Sequence, residues 1–161
     1  MTSNTKLIKD VQIKPLKALR DERGFLMEIL RSDEEIYEKF GQAYVTVVKP
    51  RIIKGWHYHK LQTDHFVGLK GSPKVVLYDA RKDSPTFGVI NEYVIGFENP
   101  LLIKIPTLVY HAFMAVGKEE AMILNIPTLP YNYKNPDEFR IDPFGKEVVY
   151  DWGDVDRSIS R

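Results

Sequence analysis

Short apolar runs rich in β-branched and aromatic residues recur along this chain, separated by polar and turn-forming stretches. The clearest are Tyr44 to Val48, Phe66 to Leu69, Lys74 to Tyr78, Val89 to Ile95, Leu101 to Ile105, Ala112 to Val116 and Ala121 to Ile126. Branched and ring side chains suit a pleated surface, so these runs predict strands. Between them stand Lys70-Gly71-Ser72-Pro73, Asp79 to Gly88, Glu98-Asn99-Pro100, Pro106-Thr107 and Gly117-Lys118-Glu119, all turn chemistry. Many short strands with such punctuation predict an all-β protein, an antiparallel sandwich or barrel. One segment breaks the pattern: Asp33 to Phe40, opened by Ser32-Asp33 and closed by Gly41, predicts a short N-terminal helix. Beyond Tyr131 the chain is polar and irregular and is expected to wrap the barrel rather than extend it. With no linker, low-complexity tract or internal repeat, residues 1–161 read as a single domain.

Composition narrows the function classes. The formal net charge is +1, with 23 Lys and Arg against 22 Asp and Glu, which gives no basic face for nucleic acid or an acidic membrane. There is no cysteine, hence no disulfide and no thiolate chemistry. No apolar run is long enough to span a bilayer, and residues 1–9 lack the apolar core of a signal peptide. A soluble cytoplasmic protein is expected.

Candidate chemistry sits with the histidines. His57, His59 and His65 fall between Gly55 and Phe66, and His111 follows the turn Pro106-Thr107. Residues two apart on a strand share a face, so His57 and His59 are expected to point together, away from Trp56 and Tyr58. Asp64 lies beyond a bend and can join them. His65 is expected to point away, as a structural residue. Imidazole carries protons near neutral pH and also binds metals. Two clustered imidazoles, a carboxylate and a distant third imidazole form a plausible ligand set for a first-row divalent ion.

The motifs resemble known ones. His57-x-His59 followed by Asp64 and Gly71 is similar to the first cupin motif, with Asp in place of Glu and Arg51 where a leading glycine is usual. Pro106-x-Leu108-x-x-His111 is similar to the second, with Leu108 in place of glycine. A narrower resemblance runs in order from residue 21 to residue 152. Asp21 to Glu28, Lys54-Gly55-Trp56-His57-Tyr58, Asp79 to Gly88, Ile105-Pro106 with His111-Ala112-Phe113, and Asp151-Trp152 resemble segments of the dTDP-4-dehydrorhamnose 3,5-epimerase family.

That resemblance implies a cupin-type antiparallel β-barrel (jelly roll), a homodimer with exchanged strands, and no cofactor. It implies a nucleotide-diphosphate 4-keto-6-deoxy sugar as ligand and an epimerase or keto-isomerase reaction in polysaccharide or deoxysugar synthesis. His57 takes the position of the base that removes a proton beside the keto group. Tyr131 stands nearest the acid that returns it on the opposite face, with Tyr133 in reserve. Arg23, Phe25 and Glu28 match nucleotide contacts, Lys54 replaces a phosphate-binding arginine, and His111 belongs to the substrate site. Arg suits phosphate and Phe can stack on a base. Asp79 and Arg81 read instead as a turn-stabilising ion pair, and Ser84 to Gly88 as structural.

The chain also departs from the family. Asp64 stands where the family has a lysine near the keto oxygen, and His59 where it has a glutamine. The family's aspartate that supports the base lies beyond Asp151-Trp152, and the sequence stops at Arg161, which leaves Asp154 or Asp156 to substitute. A cation has been exchanged for a carboxylate and an amide for an imidazole. An alternative reading therefore places one divalent metal ion on His57, His59, Asp64 and His111, in a metal-dependent cupin enzyme. On that reading His57 cannot also be a free base; because the family-wide resemblance outweighs the degenerate cupin motif, the metal-free epimerase is preferred. A non-catalytic sugar-nucleotide-binding protein is the third reading.

Overall fold

A computed structural model describes residues 6–160 and places twelve strands in them. These are β1 (Gln12–Pro15), β2 (Ala18–Asp21), β3 (Gly24–Met27), β4 (Tyr44–Val48), β5 (Ile53–Tyr58) and β6 (Asp64–Lys70). They continue as β7 (Pro73–Asp79), β8 (Ile90–Val94), β9 (Leu101–Ile105), β10 (Val109–Ala115), β11 (Ala121–Asn125) and β12 (Phe139–Arg140). One five-stranded sheet has the order β1-β9-β6-β11-β4, the other β12-β5-β10-β7-β8, and β2 with β3 forms a separate hairpin. Every pairing of these strands is antiparallel. From β4 to β7 and from β9 to β11, successive strands alternate between the two sheets.

The core lies between the sheets. Phe66, Ile103, Ile105 and Ile123 of the first meet Val75, Leu77, Val109 and Phe113 of the second. Both outer faces are covered as well. Val67 and Leu102 pack against Leu16 and Ile36, while Ile53, Trp56, Val76 and Ala112 pack against Val148 and Trp152. Coverage on both faces explains why β6, β9 and β10 read as almost unbroken apolar runs. The C-terminal tail thus wraps the sheets as expected, with β12 as its one addition, on the edge of β5.

The short helix expected over Asp33 to Phe40 is absent; turns occupy residues 32–36. The side chains that pin this segment down alternate. Glu34 bonds Lys14, Ile36 is buried against the first sheet, and Glu38 pairs with Lys104 at 2.8 Å. A period of two cannot be presented on one helix face. Tertiary contacts therefore override the capping pattern.

At Gly55 the backbone, rather than any side chain, decides. Its φ is +124°, and a Cβ there would fall 2.6 Å from the Cβ of Ala112 and 2.7 Å from its Cα. The approach of β5 to β10 at this point requires glycine. The register of β10 on β5 steps from His111↔His57 to Phe113↔Lys54, so three residues of β5 are spanned by two of β10. Such a bulge re-aims side chains. It turns Trp56 to the outer cluster and leaves both Lys54 and His57 on the opposite side, facing a cavity.

Candidate active site

That cavity has a volume of about 1300 Å³ and opens between strands of both sheets. Tyr44 and Thr46 of β4 and Phe66 of β6 form one wall; Lys54 and His57 of β5 with His111 and Phe113 of β10 form another. Residues 129–135, with Asp137, Glu138 and Arg140, close the side. The volume suits a ligand larger than a monosaccharide.

His57 lies directly opposite His111 on β10 and opposite Arg140 on β12. Cross-strand partners project to the same side of a sheet. Burial pushes the His57 imidazole down to about 4, with Glu138 opposing this and Arg140 reinforcing it. At neutral pH His57 is therefore uncharged and able to accept a proton. Tyr131 lines the same cavity from the 129–135 segment and packs edge-on against Tyr133, with ring centroids 5.0 Å apart. Tyr133 lines the cavity too, but Tyr131 is 40% exposed against 89% for Tyr133 and is the more enclosed of the two. Lys54 Nζ donates to Thr46 Oγ1 at 3.0 Å, and burial lowers its pKa. Among the described residues no carboxylate lies within ion-pair distance of Lys54.

Deeper in, Asp64 is buried, and its Oδ2 faces Nε2 of His59 at 3.2 Å and Nε2 of His111 at 3.4 Å. Oδ1 accepts from Gln62 Nε2 at 2.9 Å, while Oδ2 receives no directed hydrogen bond. The other nitrogens set the tautomers: Nδ1 of His59 donates to the Asp137 carbonyl, and Nδ1 of His111 lies 3.3 Å from the Val109 carbonyl. Burial disfavours the Asp64 carboxylate, yet His59 and His111 hold its pKa down to about 2. Burial drives His111 down to about 3. Burial also opposes charge on His59, but the Asp64 carboxylate beside its Nε2 outweighs this and its pKa is raised.

His59, Asp64 and His111 each offer a ligand atom within 4.8 Å of the others, and His57 stands outside this group. Of the four residues expected together, the structure groups these three. The reason is local: β5 ends at Tyr58, and His59 belongs to the loop that Asp137 fastens, whereas His57 stays in the bulged strand.

Other expected residues separate in the same way. Arg23, Phe25 and Glu28 do not line this cavity. On the exposed β2–β3 hairpin and just after it, Arg23 pairs with Asp21, Phe25 packs edge-on against Phe97 at 5.2 Å, and Glu28 pairs with Arg31 at 3.1 Å. Asp154 pairs with Arg51, Asp156 accepts from Ser158, and neither reaches the cavity. His65 is buried between the carbonyls of Ile126 and Ile36, away from the cluster. Asp79 is a buried hub that accepts from Arg81, Ser84 and Thr86, which accounts for the spacing of that motif by structure alone. Arg51 and Leu108, where the cupin motifs carry glycine, have φ of 64° and 62°. The Leu108 N–H donates to the His59 carbonyl at 2.8 Å, tying the two motifs together.

Asp137 went unrecognised in the sequence. Its carboxylate accepts the N–H groups of Lys60, Leu61 and Gln62 at 2.9, 2.8 and 3.0 Å. The Asn135-Pro136-Asp137 turn signal is the only local hint, and nothing in it names the loop 75 residues away that it organises.

Residues 19–139 match the family described as the polysaccharide biosynthesis C-terminal domain. The "Probable low-salt glycan biosynthesis epimerase Agl13" of Haloferax volcanii is 41% identical over 147 residues, 90% of this chain and 94% of that protein. The crystal structure of a dTDP sugar isomerase from Desulfovibrio desulfuricans G20 superposes with a TM-score of 0.85 at 30% identity, covering 94% of this chain and 96% of that one. A dTDP-6-deoxy-D-glucose-3,5-epimerase, RmlC, from Legionella pneumophila Philadelphia 1, solved with dTDP-4-keto-L-rhamnose, gives 0.80 at 26% identity over 92% of this chain and 81% of that one. With an all-β antiparallel fold and a histidine-lined cavity in place, the chain belongs to the polysaccharide biosynthesis C-terminal domain family, as a divergent relative of the dTDP-4-dehydrorhamnose 3,5-epimerases.

Proposed function

We propose that this protein is an epimerase of a nucleotide-activated 4-keto-6-deoxy sugar, serving glycan synthesis, on a cupin-type jelly roll. The observation that carries the reading is that an uncharged His57 and Tyr131 line one cavity from different elements, a bulged strand and a C-terminal wall. A C–H beside a carbonyl is acidic enough for neutral imidazole when the enolate oxygen is stabilised. His57 takes that proton and the electron pair moves to the keto oxygen. The Tyr131 hydroxyl then gives its proton to the same carbon from the other face, inverting it. The tyrosinate regains a proton from solvent and the imidazolium releases one, so the cycle balances.

Lys54 and Arg140 line the same cavity and suit the diphosphate. The hairpin exposes Leu19, Phe25 and Leu26, an apolar surface that favours a homodimer. In that dimer Arg23, Phe25 and Glu28 serve the partner's cavity rather than their own. The test is incubation with dTDP-4-keto-6-deoxyglucose and related keto-sugar nucleotides, with products read by NMR. Inversion at C3, C5 or both is expected. Binding without any turnover would select a sugar-nucleotide-binding protein instead.

A further inference from the structure

We propose that Tyr44 is a further catalytic residue, whose hydroxyl donates to the keto oxygen of the bound sugar and steadies the negative charge that develops there. Tyr44 stands on β4, in the wall of the cavity. Its Oη accepts from Asn125 Nδ2 at 2.9 Å. The amide is fixed in that sense, because Asn125 is fully buried and its Oδ1 accepts the His65 N–H at 3.1 Å. The phenol oxygen is therefore engaged as an acceptor, and its own proton is left for another partner. Among the described residues no acceptor takes that proton. A hydroxyl anchored from behind and lining a ligand cavity is a donor set in place before the ligand arrives.

The placement suits the reaction. Residues two apart on a strand share a face. Thr46, two residues beyond Tyr44, accepts from Lys54 Nζ of the opposite wall at 3.0 Å. Lys54 and His57 lie on that wall together, so the phenol's wall faces the base. An enolate needs a donor at its oxygen. Several other donors of the cavity are already engaged: Lys54 donates to Thr46, Gln62 to Asp64 and Arg140 to Glu138. Thr46 also keeps its proton, but it stands beside Lys54, with the diphosphate. Burial pushes the Tyr44 phenol up to about 12, and the Asp64 charge adds to the shift, so the hydroxyl keeps its proton at neutral pH. Tyr44 donates a hydrogen bond without transferring the proton, and the proton count of the cycle is unchanged. This role rests on the proposed function.

The experiment has a kinetic arm and a binding arm, both on the full-length protein with dTDP-4-keto-6-deoxyglucose and related keto-sugar nucleotides. Tyr44→Phe is expected to lower kcat and solvent-deuterium exchange together by about 10²–10³. Its KM should stay within about threefold of wild type, because the bond strengthens as the enolate forms. The binding arm records the isotope-edited infrared stretch of the keto group bound to His57→Asn, which cannot turn it over. That stretch should fall below its value in free ligand, and return toward it when Tyr44→Phe is added. A stretch that is the same with and without the hydroxyl overturns the proposal even if kcat falls, since a merely structural role would also slow turnover. A Tyr44→Phe enzyme with kcat within about threefold of wild type overturns it too. Should Tyr44→Phe not fold, 3-fluorotyrosine at position 44 keeps the ring and makes the hydroxyl a stronger donor; the stretch should then fall further, and an unmoved stretch refutes the contact. Wild type that binds a keto-sugar nucleotide without turning it over sinks the proposed epimerase, while the infrared arm still decides the Tyr44 contact. Wild type that binds no such ligand overturns both.

Discussion

Replacing Asp137 with alanine tests whether one carboxylate organises the floor of the cavity. Its two oxygens accept three consecutive backbone N–H groups, from Lys60, Leu61 and Gln62. Hydrogen bonds to a charged acceptor contribute about 1.5–3 kcal/mol each in mutational series. Lys60 and Leu61 are exposed, so water replaces the carboxylate at those two positions, and only the donor of buried Gln62 is left poorly served. The expected loss is therefore about 2–4 kcal/mol, below the sum of three full bonds. For a chain of this size that lowers Tm by roughly 5–15 °C. Asp137→Asn keeps one acceptor oxygen and should lose about half as much. Urea unfolding at pH 7 gives the free energies, and thermal unfolding the midpoints. Both variants retain the main-chain carbonyl that orients His59, so any loss reflects the position of the loop rather than that bond. If Asp137→Ala unfolds within about 0.5 kcal/mol of wild type, the carboxylate does not organise the loop.

Gly55→Ala meets both a positive φ and a Cβ clash with Ala112; a loss of about 2–5 kcal/mol is expected, read as insoluble expression or a greatly lowered urea midpoint. Asp79 has a folded pKa far below its ordinary value, because Arg81, Ser84 and Thr86 outweigh the penalty of burial. A depressed carboxylate stabilises fully above the unfolded value of about 3.9 and less as pH falls below it toward the folded pKa. Asp79→Asn should therefore be less stable at pH 7 and flatter than wild type below about pH 4, in urea unfolding followed across pH. Tyr133→Phe should keep near wild-type kcat. If hairpin residues serve the partner's cavity, mixing inactive His57→Asn with an Arg23, Phe25, Glu28 triple-alanine variant should restore activity toward about a quarter of wild type, through one intact site per heterodimer.

The strands were legible where side chains alone decide them. Leu101–Ile105 and Tyr44–Val48 match their apolar runs to the residue, because both lie in sheets whose packing follows that pattern. β1, β2 and β3 escaped because half or more of their positions are polar or exposed, and the hairpin has no core of its own. The segment after Ser32 carries genuine helix-boundary residues, yet Glu34, Ile36 and Glu38 are claimed by Lys14, the sheet surface and Lys104. Such distant partners leave no local trace. In the cavity, the joining of His59 and His111 through Asp64 was readable from residue type and spacing. The place of His57 apart from these three was not, since it depends on a bulge that only the pairing of β5 with β10 creates. For the same reason Asp137, Glu138 and Arg140 were missed: β12 is two residues long and is defined by the edge it joins.

The most direct test of the account follows solvent deuterium into the sugar with wild type, His57→Asn and Tyr131→Phe. Wild type in D₂O should give inverted product carrying deuterium at the inverted carbon. His57→Asn should neither exchange nor invert, with a rate lower by about 10²–10⁴. Tyr131→Phe should still exchange, because His57 removes the proton and a deuteron returns on the same face, but it should not invert. Exchange at the wild-type rate in His57→Asn, or inversion at the wild-type rate in Tyr131→Phe, would contradict a base and an acid working from these two positions.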